Sequence, residues 1–166
     1  MNIFYNQCGK YVWGFPATGR TASSVVGFND VLWTMHGPNP VVMRIYSNTG
    51  EPISGSKEMI SGYHLILGAD NIAYSVRCSK DNLMDGQAII TACSENLEEK
   101  WSREYEISCM GISEVLGADG VIYIAHEKNS RIEIVAIRTE SPGLAKTSRP
   151  IYNFNNRRTS WLAPGQ

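Results

Sequence analysis

The chain repeats a short stretch of its own sequence. Residues 68–74 read GADNIAY, and residues 117–123 read GADGVIY. A polar, glycine-containing turn followed by β-branched and aromatic residues is typical of a turn that leads into a strand. An internal repeat limits the fold strongly, because each copy must form the same unit and bury the same surfaces. The sequence therefore predicts a chain built from copies of one β unit.

Two further stretches have the same form, NDVLWTMHG at 29–37 and MNIFYNQCG at 1–9. The aromatic residues at the shared position are Tyr5, Trp33, Tyr74 and Tyr123. Another strand-like run follows each internal copy, as in the alternating RIEIVAIR at 131–138. Each unit is predicted to be four antiparallel strands, and the shared aromatic residues are expected to pack between units rather than to form a platform for a sugar.

Sheet units of this size, following one another along the chain, predict an all-β fold, a β-propeller of four-stranded antiparallel blades. The three internal units span residues 24–60, 63–107 and 112–154. Residues 97–105 (LEEKWSREY) come nearest to a helical period, but their place in the second unit favours a turn followed by the outer strand.

The order of residues within the units resembles the blades of the quinoprotein-like (PQQ-type) propeller family. The resemblance is carried by VLGADGVIYIA and IVAIRTESPG in the third unit, and by the turn at Ser94–Leu97 ahead of Trp101 in the second. It covers about residues 24–154 and implies a propeller whose inner strands end in tight turns. The family's cofactor and calcium ligands match no position here, so no cofactor and no metal is expected.

The two ends of the chain complement each other. Residues 159–166 (TSWLAPGQ) look like an inner strand without a second strand, whereas residues 1–22 contain a second and a third strand without a first. Their pairing would complete a terminal blade, so that residues 1–166 form one domain of about four blades. Two alternatives remain open: a larger ring formed by oligomerisation through the terminal strands, and a fragment of a longer propeller.

Composition narrows the classes of partner. The net charge of −1, without a basic run, argues against nucleic acid as a partner. No apolar run approaches the roughly 20 residues of a membrane helix, so no membrane association is expected. The start of the chain lacks the pattern of a signal peptide, which predicts a cytoplasmic protein, or a secreted one if a leader was removed.

The cysteines are Cys8, Cys78, Cys93 and Cys109, and none belongs to a C-x-x-C pair. We expect reduced, mostly buried thiols, because free cysteine commonly behaves as a small hydrophobic residue. A disulfide such as Cys93–Cys109 is the alternative for an exported protein.

Propellers bind ligands at the mouth of the central channel, between the loops that join the second strand to the third and one blade to the next. His36, Arg77 and His126 each lie three residues after the aromatic position, where they could bind an anion or a sugar. The alternative is that this position ends the second strand and faces solvent. Further candidate binding residues in the loops are Asn39, Asp81, Asn82, Asn156, Arg157 and Arg158. His64 is interpreted as a hydrogen-bonded structural histidine.

No nucleophile elbow, P-loop, HExxH or GxGxxG motif is present in the sequence. The expected function is therefore that of a non-enzymatic binding module for a glycan, a small molecule or a protein. One alternative is a small hydrolase or lyase in which His36 and His126 act, since histidine is the commonest general base. Another is a structural or assembly protein, in which the terminal strands form a homo-oligomer.

Overall fold

The computed structural model describes residues 2–5, 11–15, 24–36, 41–46, 48–53, 64–79, 86–109 and 112–146. Side chains are described for all of these except 2–5, 12–15, 30, 35–36 and 41. Strands and turns make up this part of the chain, with a single 3-10 turn at Phe28–Asp30. The predicted all-β class is confirmed.

The described part of the chain contains twelve strands. They are β1 Asn2–Tyr5, β2 Tyr11–Phe15, β3 Ser24–Val26, β4 Val31–His36, β5 Val41–Tyr46, β6 His64–Leu67, β7 Ala73–Cys78, β8 Gln87–Cys93, β9 Glu99–Ser108, β10 Ser113–Leu116, β11 Val121–Lys128 and β12 Arg131–Arg138.

The strands form four antiparallel sheets in which neighbours along the chain are neighbours in space. The N-terminal sheet is β1–β2, the first sheet β3–β4–β5, the second sheet β6–β7–β8–β9 and the third sheet β10–β11–β12. The second sheet has the four strands predicted for a unit, and β9 is the outer strand expected in place of a helix over 97–105. In units 24–60 and 112–154, the residues expected to form most of the fourth strand, 54–60 and 147–154, lie outside the described part, as do residues 159–166.

The turn between the first two strands of each internal sheet, which carries the GAD stretch in the second and third sheets, closes with the same hydrogen bond. The amide of the glycine that ends the first strand donates to the carbonyl four residues on, in the pairs Gly27–Val31 (2.7 Å), Gly68–Ile72 (2.8 Å) and Gly117–Val121 (2.8 Å). Each turn contains a left-handed residue, which is Asn29 (φ 56°), Asn71 (φ 61°) or Gly120 (φ 73°). Asparagine and glycine tolerate this conformation best, so the turn explains why the sequence repeats here.

We call the face of each internal sheet that carries its aromatic residue the forward face, and the opposite face the rear face. The forward face of the first sheet (Val25, Trp33, Val42) packs on the rear face of the second (Leu65, Leu67, Ala73). The forward face of the second (Ile66, Tyr74, Val76) packs on the rear face of the third (Leu116, Ile122, Ile124). The internal sheets therefore stack in chain order, with the second sheet buried on both faces.

The aromatic residues follow this stacking. Trp33 and Tyr74 are each 1% exposed and lie in the cores between sheets, as predicted for the shared position. Tyr123 is half-buried on the forward face of the third sheet. Two isoleucines of β12 on that same face, Ile132 and Ile134, are 71% and 70% exposed. The side chain of Tyr5 lies outside the described part.

A short joint links the first sheet to the second. The Arg44 guanidinium lies over the Trp33 ring, 5.4 Å from its centroid, and donates to the backbone carbonyl and the carboxylate of Glu95 in the turn between β8 and β9. Leu97 lies two residues further along the same turn and has a left-handed backbone (φ 60°). Its side chain is 1% exposed, in the core between the first and second sheets. Burial of its side chain holds this unfavourable backbone in place.

The predicted fourth strand of unit 112–154 falls mostly on residues outside the described part, and residues 139–146 contain the predicted turn that leads toward it. These residues, which we call the strap, cross the ends of β6 and β11 that carry the repeated turns. The Ala145 amide donates to the Leu67 carbonyl (2.9 Å), and the Ala69 amide to the Gly143 carbonyl (2.8 Å). The strap thus joins the third sheet to the second at the end that we call the turn end.

The expectation of four reduced thiols is wrong. Cys78, at the end of β7, and Cys109, just after β9, form a disulfide with a Cα–Cα distance of 5.9 Å. Cys93 is a free, buried thiol, so the alternative pairing of Cys93 with Cys109 is also wrong. Cys8 lies outside the described residues. Within the described part, none of the helices has the length and apolar character needed to cross a membrane.

Candidate functional site

Polar groups collect at the loop end of the molecule, opposite the turn end. At the turn end, the space between the second and third sheets is apolar, with Tyr74 facing Leu116 and Ile122. Toward the loop end, the same space contains His64 on the second sheet and Glu114 and His126 on the third. Burying such groups is costly unless each finds a partner, so their grouping marks this end as chemically distinct.

His64 and Glu114 form a close pair between two inner strands. The Nδ1 atom of His64, at the start of β6, lies 2.6 Å from Oε2 of Glu114 on β10. The Glu114 side chain is 4% exposed and that of His64 is 30% exposed. The interpretation of His64 as a hydrogen-bonded histidine is confirmed. A buried carboxylate in this position fixes the orientation of the imidazole, as in many proton-transfer sites.

His126 connects the outer strand of the second sheet to the third. Its side chain is fully buried, and its Nδ1 accepts a hydrogen bond from the backbone amide of Ser108 on β9 (3.2 Å). The proton of the neutral ring is therefore on Nε2, which lies 3.7 Å from Oε2 of Glu133 and has no hydrogen-bond partner in the described part. This geometry does not support the hydrolase hypothesis. A buried imidazole whose Nδ1 already accepts a hydrogen bond is a poor general base.

Arg77 lies in a different space from His126. Alternation along β7 puts Arg77 on the rear face with Ala73, toward the first sheet, whereas His126 lies on the rear face of the third sheet, toward the second. The second sheet therefore separates the two residues. Arg77 is half-buried, and its Nε has no hydrogen-bond partner among the described residues.

The remaining sequence-predicted residues fall outside what the structure describes. The backbone of His36 is described as the last residue of β4, without its side chain. The loop residues that lie outside the described part are Asn39, Asp81, Asn82, Asn156, Arg157 and Arg158. Their contribution to a binding site at the loop end stays a prediction.

Glu114 and Ser108 are not among the residues predicted from the sequence. A signal for Glu114 was available, because the register aligns it with Leu65 of the second unit, a buried core position. A carboxylate at a core position of a repeat indicates a polar partner across the interface. No signal was available for Ser108, since its contact with His126 is made by the backbone amide, which every residue except proline carries.

The described side chains at the loop end form pairs that can hold protons and make hydrogen bonds. No group of three or more metal-ligating side chains comes together in the part of the chain that is described. His64 with Glu114, and His126 with Glu133, form two separate pairs, each too small to fill the coordination shell of a structural zinc ion.

The chain was compared with protein-family models, with curated proteins and with solved structures. No family model, no curated protein and no solved structure matches it.

Proposed function

We propose that the three internal sheets are consecutive blades of a β-propeller-type ring, as the resemblance to quinoprotein-like repeats predicts. Two observations support this arrangement. The forward faces of the first and second sheets each pack on the rear face of the next sheet, and the first strands of the first and second sheets, β3 and β6, contact each other. Radial packing of this kind buries both faces of a sheet that could not be stable alone.

We infer that the ends of the chain complete the ring by covering the third sheet. Its forward face carries Ile132 and Ile134, which are exposed in the described part, although the equivalent faces of the other internal sheets are covered. In the described part, the N-terminal sheet consists of two strands, and a two-stranded sheet is marginal in water without an apolar surface to pack on. Residues 159–166 supply the apolar residues Trp161 and Leu162 for a further strand.

A double-mutant cycle tests this closure. We expect Ile134→Ala and Trp161→Ala to be coupled by about 0.5–2 kcal/mol in the free energy of unfolding, because contacting residues are not additive. The control pair, Ile90→Ala with Trp161→Ala, should be additive, since Ile90 faces the core between the second and third sheets. Additivity in both pairs would contradict closure by the chain's own end.

A second copy of the chain is the competing occupant of the same face, and it corresponds to the assembly hypothesis. The exposure of Ile132 and Ile134 favours it as the second candidate. Light scattering across a concentration series separates the two. A monomer at all concentrations is expected for closure by the chain itself, and a dimer dissociated by Ile134→Asp would favour assembly.

The function that the geometry supports best is that of a non-enzymatic binding module with its ligand site at the loop end. The observation that carries this proposal is Arg77, a half-buried arginine at that end with a donor atom left without a partner in the described part. A guanidinium offers paired donors that match a carboxylate or sulfate group. The ligand proposed is therefore an acidic glycan or another small molecule with an anionic group.

Binding of acidic and neutral glycans on an array tests this function. We expect the unmodified chain to bind acidic glycans. Arg77→Ala should weaken this binding at least about tenfold, because one charge-assisted hydrogen bond is lost. Arg103→Ala is a matched control, because Arg103 lies over Trp101 on β9 (5.9 Å to the ring centroid). Equal weakening by both variants would indicate a general charge effect instead of a site.

A further inference from the structure

The disulfide closes the loop end of the second sheet. Cys78 is the last residue of β7 and Cys109 follows β9, and the intervening strand β8 begins between them at Gln87. The bond therefore joins the second strand to the outer strand across the start of the third. Without it, the last residues of β9 are held at this end by their pairing with β8, which shifts register between Gln87 and Ala88.

The residue next to the disulfide makes the contact that joins two sheets. Ser108 directly precedes Cys109, and its backbone amide donates to Nδ1 of His126 on the third sheet. Cys109 is 6% exposed and Ile107 is 1% exposed, so this end of β9 is packed against the third sheet as well as bonded to it. The position of the Ser108 amide thus depends on the position of Cys109.

We propose that the Cys78–Cys109 disulfide is a redox-controlled latch that holds the second sheet against the third through Ser108 and His126. In the oxidised chain, the bond fixes the end of β9 and aims the Ser108 amide at the His126 ring. In the reduced chain, the end of β9 is free to move away from β7, and the bond to His126 weakens. This inference is independent of the proposed ring and of the proposed ligand.

The chemistry is thiol–disulfide exchange with a low-molecular-weight disulfide such as oxidised glutathione. One cysteine thiolate attacks a glutathione sulfur, forming a mixed disulfide and releasing a glutathione thiolate. The second cysteine thiolate then attacks the protein sulfur of that mixed disulfide and releases the second glutathione. The protein loses two protons and two electrons, and one oxidised glutathione becomes two reduced molecules.

The third described cysteine, Cys93, does not take part in the latch. Its thiol is buried on β8, and burial, with the nearby Glu99 carboxylate, raises its pKa to about 12. Because the thiolate is the species that attacks a disulfide, the raised pKa slows any exchange reaction of Cys93. It is the natural control for experiments on the latch.

The latch also has a consequence for the cellular compartment in which the protein is expected. Disulfides of this kind persist in oxidising compartments and are rare in the cytosol. Formation of the latch is therefore expected in an oxidising environment, which fits the secreted alternative of the sequence-based prediction better than the cytoplasmic one.

The test uses the full chain equilibrated in glutathione buffers of defined redox poise. Alkylation under denaturing conditions, followed by intact mass and peptide mapping, identifies the linked cysteines. We expect a Cys78–Cys109 linkage in oxidising buffer and its loss in dithiothreitol. Hydrogen exchange then follows the Ser108 amide, which we expect to exchange at least roughly tenfold faster after reduction, whereas the amides of the first sheet keep their rates.

Two variants separate the latch from general effects of reductant. In the unmodified chain and in Cys93→Ser, dithiothreitol should lower the melting temperature by about 5–10 °C, as expected for a loop of this length. In Cys78→Ser/Cys109→Ser, dithiothreitol should change neither the melting temperature nor the exchange of Ser108. A linkage to another cysteine, or unchanged Ser108 exchange after reduction of the unmodified chain, would overturn the proposal.

Discussion

Tyr74 and Tyr123 occupy the same position of the repeat but lie in different environments. Tyr74 is buried between the second and third sheets, and the strap residues Thr139 and Ser141 hydrogen-bond to it. Tyr123 is half-buried on the third sheet, and its hydroxyl donates instead to Asp119 of its own turn (2.9 Å). The repeat therefore determines the local turn and strand, whereas the neighbouring sheet and the strap determine the environment of the side chain.

Their acid–base properties follow this difference. Burial is the main cause that raises the pKa of Tyr74, and the carboxylates of Asp70 and Glu140 add to it. The pKa of Tyr123 is raised chiefly by its hydrogen bond to Asp119. The pKa of a tyrosine at this position is thus raised mainly by desolvation in the second sheet and mainly by a local hydrogen-bond partner in the third.

The largest effect is expected from removing the buried member of this pair. Tyr74→Ala should lower the free energy of unfolding by about 3–5 kcal/mol, because it leaves a cavity between two sheets. Tyr46→Ala is the control, since Tyr46 is 48% exposed and should cost less than about 1 kcal/mol. Urea denaturation measures both, and similar losses would mean that the core between the second and third sheets is not closely packed.

Leu97 extends the comparison to the segment that follows the third strand of each sheet. In the second sheet this segment is the turn that contains Leu97, and in the third sheet it is the strap after β12. Leu97→Ala should cost about 2–4 kcal/mol through lost packing in the core with the first sheet. Leu97→Gly should be no less stable than Leu97→Ala, since glycine favours the left-handed backbone at this position. A clearly less stable glycine variant would show that backbone strain is not present in solution.

The two turns of the repeat differ in what covers them. An added Cβ at Gly120 would meet the backbone carbonyl of Ser141 in the strap, and the residue has a left-handed backbone. Gly120→Ala should therefore cost about 2–3 kcal/mol and increase hydrogen exchange at Thr139. Asn71→Gly keeps the same backbone and should change stability by less than about 0.5 kcal/mol. Equal effects would indicate that the strap does not rest on Gly120.

These differences also show how far sequence reasoning reached. The strands, the repeated turn and the burial of Trp33 and Tyr74 could be predicted, because each depends on a pattern within one unit. The strap, the Glu114 pair and the Cys78–Cys109 bond could not, because each depends on which units are neighbours and on distances between residues far apart in the chain. A repeat indicates similar units, but it does not indicate what crosses between them.

The smallest expected effect is a change in the pKa of Asp119. It separates the influence of the hydrogen bond between Tyr123 and Asp119 from the influence of burial. The hydrogen bond from Tyr123 is the main cause that lowers the pKa of Asp119. A carboxyl whose pKa is lowered in the folded state contributes stability above its ordinary pKa, and that contribution is lost as the pH falls through the folded value. In Tyr123→Phe, the pKa of Asp119 should therefore rise toward its ordinary value, so that the remaining contribution is smaller and is lost at a higher pH.

Carbon-13 NMR of the Asp119 carboxyl measures this shift directly. The matched control is Tyr74→Phe, which removes the equivalent hydroxyl from the second sheet and should leave the titration of Asp119 unchanged, because Tyr74 bonds to the strap instead. If Tyr123→Phe left the titration unchanged, the amide of Val121, which also donates to Asp119 (3.2 Å), would be the dominant partner. The two tyrosines would then differ by burial alone, and the comparison between the two sheets would no longer need the local hydrogen bond.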